Sequence, residues 1–180
     1  VRFLFVLYLL IIGVLAVLAQ MVLPVMFPIL GKIGFDAALV PLVVIYASLE
    51  LGDERAPIVA GLLGVMLDLN LSQHFGTSVI VLFSLSALIV TQANRPETHT
   101  LPFRLVFVLV GTFSYLLLTY LFVLVEASRW TWPLAVWSRI TFGTLLNLLL
   151  APLFFWLAGI LPRLCGWVRE PDPQERYYAR

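Results

Sequence analysis

Six long apolar runs separated by short polar breaks set the pattern of the chain. The first run goes from Phe3 to Leu23, and Pro24 and Pro28 break it before a turn of Gly31, Lys32, Gly34 and Asp36. The second covers Ala37–Leu51, with Pro41 near its start, where a missing N–H is tolerated. Gly52, Asp53, Glu54 and Arg55 make a polar loop, and Pro57 opens the third run, which reaches Leu71. Ser72, Gln73, His74, Phe75 and Gly76 form the next turn, followed by a fourth run over Thr77–Ala93. A polar loop from Asn94 to His99 leads to a fifth run over Leu101–Val125. Glu126, Ser128, Arg129, Trp130 and Trp132 turn the chain into a sixth run over Ala135–Leu161. These runs are continuous rather than alternating, so they predict helices and not the strands of a barrel. Each is bounded by Pro, Gly or charge, as helix ends are.

A membrane helix takes about 20 apolar residues, so the pattern predicts an all-α integral membrane protein with six transmembrane helices. The membrane domain is expected over residues 1–162, with a charged tail at 163–180 that carries Pro171 and Pro173 and is expected to be disordered. Six spans leave no room for a separate soluble domain within the 180 residues. The first run is longer than the apolar stretch of a signal peptide and is followed by more spans, so it reads as an uncleaved first helix.

Composition agrees. Hydrophobic residues make up 62% of the chain and charged residues 12%, against about 45–50% and about 25% in soluble domains. The mean hydropathy is +1.03. The net charge of +1 offers no basic stripe for nucleic acid. Cys165 is the single cysteine, which excludes an internal disulfide, and two histidines do not make a metal site. No cofactor is expected, and phosphate-loop, dinucleotide, zinc-protease and nucleophile-elbow motifs are missing.

The position of the charges predicts orientation. With six spans, Arg2, Arg55, Arg95, Arg104, Arg163, Arg169, Arg176 and Arg180 share one side, against Lys32, Arg129 and Arg139 on the other. The basic excess places both termini in the cytoplasm. Trp130, Trp132 and Trp137 then fall at the outer interface, with Trp156 and Trp167 towards the inner one, as interfacial anchors.

The third run is the informative one. From Pro57 to Leu71 it rises about 22 Å, short of the ~30 Å hydrocarbon core. Gly61, Gly64, Asp68 and Leu71 fall on one helical stripe, and two glycines there let another backbone approach closely. Packing within the chain is the preferred reading, and a partner-facing seam is the alternative. An aspartate inside a span is costly, so Asp68 suggests a proton relay, a ligand contact or a partner contact. The preferred reading is structural: a polar lock on the next turn, through Ser72 or the amides near Gly76. Asn70 is rotated away from this stripe. Arg139 lies at a comparable depth, so an Asp68–Arg139 ion pair is open to the fold, against the simpler expectation that Arg139 reaches for headgroups. Glu50 and Glu126 end their spans as interfacial groups, and Gln20, Gln92 and Asn147 are expected to make interhelical hydrogen bonds. These intramembrane polar groups are too few for an ion path, and no nucleophile–base pair is visible.

The stretch Ala56-Pro57-Ile58-Val59-Ala60-Gly61-Leu62-Leu63-Gly64-Val65-Met66-Leu67-Asp68, with Gly76 eight residues on, resembles the rod shape-determining protein MreD family. Such proteins carry a short Gly-rich helix ending in Leu-Asp, a small polar turn, a Gly and another span. The motif covers Pro57 to Gly76; size, six spans, cytoplasmic termini and a basic tail fit over the whole chain. Gln73 and His74 stand where family members have small residues. The resemblance implies the fold of the substrate-binding S-component of energy-coupling-factor transporters. It implies a non-enzymatic role in bacterial cell-wall elongation at the inner membrane, in association with MreC and, through it, with MreB, RodA and the class B penicillin-binding protein. Gly61, Gly64, Asp68 and Gly76 would be its structural or partner-contact residues. The alternative is an S-component-like protein that binds a vitamin-sized molecule; an enzyme acting on lipid-linked substrates ranks last. Whether the chain forms a homodimer is left open by the sequence.

Overall fold

The computed structural model describes residues 2–26, 38–71, 76–93, 100–126 and 134–166. Among them are six helices: α1 Arg2–Met26, α2 Leu39–Leu51, α3 Arg55–Leu71, α4 Thr77–Ala93, α5 Leu101–Glu126 and α6 Leu134–Leu164. The order and number match the six apolar runs. The boundaries differ where a proline stands near a helix end. α1 runs on through Pro24 to Met26, the last described residue of this stretch. Pro162 does not stop α6, for a reason that lies in its neighbours. The start of α3 moves back to Arg55, because Asp53 receives the Arg55 N–H on its side chain at 3.1 Å and the Ala56 N–H on its carbonyl at 3.2 Å. Pro57 then sits in the first turn, where it costs no helical hydrogen bond.

Three stretches are long and apolar enough to cross a membrane: Phe3–Leu23, Leu101–Val125 and Val136–Pro162. No more than 33% of each is buried inside the molecule. Their outward faces are rows of large apolar side chains: Leu4, Leu7, Ile11, Leu15, Leu18 and Val22 on α1, and Phe142, Leu145, Leu149, Leu153, Trp156 and Leu157 on α6. Water would not tolerate such a surface over three helices, and lipid does. The exposed Trp137 and Trp156 of α6 stand 19 residues apart, about 28 Å, which matches the hydrocarbon thickness.

α2 is the centre. Every residue from Val40 to Leu49 is buried, and the helix touches each of the other five. Its 13 residues span about 20 Å, so it is too short to qualify as a span by itself and is instead sheathed by protein. α3 and α4, with 17 residues each, form the most intimate pair. One end of the bundle is tied at Glu50, whose carboxylate meets the Arg104 guanidinium at 2.8 Å, joining the end of α2 to the start of α5. At the same end, the Tyr8 and Tyr46 hydroxyls both donate to the Ala158 carbonyl, at 3.0 and 3.1 Å. Pro162 explains this convergence. It has no N–H to give the carbonyl four residues back, so two tyrosines from α1 and α2 satisfy that carbonyl instead. In the interior, Ser48 gives its proton to the Val44 carbonyl at 2.7 Å, so Ser86 on α4 is the donor in the 2.7 Å bond between the two hydroxyls.

Candidate functional site

The third helix and its turn carry the sequence features that call for explanation, and the structure brings three of them together. Gly64 lies where α4 begins. A Cβ added there would come within 2.6 Å of the Val79 Cα and 2.8 Å of the Val79 nitrogen, both backbone atoms that cannot step aside. The missing side chain therefore lets the first turn of α4 rest directly on α3. One helical turn further along α3, Asp68 is 4% exposed. Its carboxylate accepts the N–H of Gly76 at 2.7 Å, of Ser78 at 3.1 Å and of Val79 at 3.5 Å.

Those are the amides a helix leaves unpaired at its start. Gly76 is the N-cap position of α4: its carbonyl accepts the Ile80 N–H at 3.0 Å, and glycine has no side chain with which to cap. Asp68 supplies the cap from the preceding helix. Gly76 has φ +103°, in the region that favours glycine, and this bend aims its N–H back at α3. The electrostatics also resolve. A carboxylate near the C-terminus of α3 opposes that helix's own dipole, but the N-terminus of α4 faces it and offsets the penalty. In the buried setting of Asp68, this arrangement replaces water for one charge and three backbone donors at once.

The Tyr115 hydroxyl on α5 sits beside Ser78, within electrostatic reach of Asp68. Asn70 points away, exposed, its side-chain N–H donating to the Met66 carbonyl at 2.6 Å. Of the two readings for Asp68, the lock on the next turn is the one the geometry shows, through the amides of Gly76, Ser78 and Val79; Ser72 lies outside the described residues. The Asp68–Arg139 pair does not form. Arg139 is exposed on α6, and the ion pairs among the described residues are Glu50–Arg104 and Asp53–Arg55. The backbone amides had already claimed the carboxylate.

The two motif glycines are unequal. Opposite Gly61 the nearest atom is a Phe83 ring carbon at 3.7 Å, an ordinary contact that a methyl group would tolerate. Of these two, it is Gly64 that marks a backbone-to-backbone approach. Gly13 and Gly111 are also closely packed, but against side chains: a Cβ would run into Leu63 at the first and Ile45 at the second.

Two polar expectations are met by trans-helix bonds. The Gln20 side-chain carbonyl on α1 accepts the Val40 N–H of the first turn of α2 at 3.3 Å. Asn147 on α6 is fully buried and donates to the Ala38 carbonyl at 2.6 Å and to the Thr112 hydroxyl at 3.4 Å. The Glu50–Arg104 pair, by contrast, is not among the sequence expectations: Glu50 reads as an interfacial group and Arg104 only as one of the basic residues on the side of the termini, and no local spacing links residues so far apart. Among the described residues no group of three His, Cys, Asp or Glu could hold a metal ion. Comparison with protein-family models, with curated proteins and with solved structures finds no match for this chain.

Proposed function

We propose that this chain is a non-enzymatic scaffold subunit of the bacterial cell-wall elongation machinery, an MreD-like protein of the inner membrane. In this reading it binds the bitopic protein MreC and, through it, meets MreB, RodA and the class B penicillin-binding protein. It crosses the membrane six times, with α2 enclosed by the other five helices, and keeps both termini in the cytoplasm. The basic excess on the side of the termini supports that orientation. The Tyr8–Ala158 bond, which holds the start of α1 beside the end of α6, supports a common side for the two termini.

The observation that carries the reading is where the motif residues go. Gly64, Asp68 and Gly76 build one hinge from backbone contacts. The carboxylate is committed to amides and so is a poor candidate for proton transfer or ligand binding. A motif that sets the shape of a helical hairpin suits a protein whose work is to hold others in place.

Purification from native membranes in mild detergent tests this. A bitopic coiled-coil protein should co-isolate in near-stoichiometric amount. A tightly bound vitamin together with an ATPase module would instead establish the S-component reading and reject the scaffold.

A further inference from the structure

We infer that Asn147, Thr112 and the start of α2 form a buried site for a neutral hydrogen-bond donor: a water molecule or the N–H or O–H of a small organic molecule. The observation is one atom. Asn147 is 0% exposed, and its side-chain oxygen has no hydrogen-bond partner among the described residues. The amide cannot be turned round to cure this. Its other arm lies 2.6 Å from the Ala38 carbonyl, an acceptor that only the NH2 group can approach so closely. The NH2 group also meets the Thr112 hydroxyl, itself fully buried. The oxygen is therefore an acceptor, fixed in place and facing no donor.

Its position makes this expensive. Asn147 is 13 residues into α6 from Leu134, about 20 Å along the helix. Thr112 is 11 residues into α5, about 16 Å. Both lie well inside the spans, where an unpaired polar atom is costly because no bulk water reaches it. Helix α2 begins here rather than at a membrane surface, with Ala38 2% exposed and no cap from its own side chain. Gln20 reaches in from α1 to the Val40 N–H. The named groups are amides, a hydroxyl and backbone, without a charged side chain among them. They select an uncharged occupant that donates, and two to four polar partners are what a buried water requires. The site lies apart from the Asp68 hinge and does not depend on the scaffold reading.

The unmodified full chain, purified in detergent, provides the test. The sequence holds three asparagines, Asn70, Asn94 and Asn147, so selective 15N-asparagine labelling gives few side-chain signals, and Asn147→Gln identifies the buried one. A through-space cross-peak between the Asn147 amide protons and water is expected if water is the occupant. A small molecule at close to one per chain in the mass spectrum of the denatured extract is expected if the occupant is organic; Asn147→Leu should lower its yield at least tenfold. No water cross-peak and no retained molecule in the unmodified protein would overturn the proposal, whatever the variants do.

Discussion

At the scale of single residues, the hinge assigns different tasks to residues that share a stripe. Gly64→Ala drives a methyl into the backbone of Val79 and should cost about 1–3 kcal/mol or more, seen as a lower melting temperature in detergent. Gly61→Ala, facing Phe83 at ordinary contact distance, should leave the melting temperature nearly unchanged. Equal effects from the two substitutions would contradict this account of the seam. Asp68→Ala strands three backbone donors, each worth roughly 1–3 kcal/mol when buried and unpaired, so it should destabilise more than Asp68→Asn, which keeps one acceptor. Much of this was legible in the sequence. A costly charge at the end of a glycine-bearing helix, with a glycine eight residues on, already suggested a lock on the next turn. Spacing could not say which glycine meets backbone, because that depends on where α4 lands. Nor could it show that the amides would win Asp68 over Arg139, since cap geometry exists only once both helices are docked.

At the scale of helices, the short elements depend on neighbours for what their own ends lack. α2 takes a cap from Gln20 of α1, and α4 takes one from Asp68 of α3. α6 takes two tyrosine hydroxyls at the carbonyl that Pro162 leaves open. Because either tyrosine alone still satisfies Ala158, Tyr8→Phe and Tyr46→Phe should each cost only about 0.6 kcal/mol, the average for interhelical hydrogen bonds in membranes. The double variant should lose clearly more than the sum, as the carbonyl is then unpaired. Additive losses in thermal unfolding would show that the two bonds are independent. The sequence reading placed the helices well because apolar run length and proline positions report them directly. It ended α6 at Leu161, before the proline, because the groups that tolerate Pro162 lie on α1 and α2, more than a hundred residues away.

At the scale of the molecule, the chain is organised around a central helix buried from Val40 to Leu49 and an apolar exterior, and the buried charges among the described residues are met by an opposite charge or by backbone amides. Glu50 and Arg104 are 10% and 15% exposed, so removing one partner leaves a buried charge. Either single substitution to Leu should cost about 3–5 kcal/mol, while replacing both should recover much of the loss. A double variant as unstable as the sum of the singles would mean the pair does not couple α2 to α5. The number of helices and their apolar exterior followed from composition and pattern. The pairing at Glu50 and the buried acceptor at Asn147 did not, because they depend on which helices are neighbours. The same architecture, a helical body with its one conspicuous motif used for folding, is the ground on which a scaffold is proposed. That proposal is tested most directly by depleting the protein from a rod-shaped bacterium that carries it and imaging the cells. Loss of rod shape, restored by the wild-type chain and by Gly61→Ala but not by Gly64→Ala, is the expected result; cells that remain rods after depletion would contradict it.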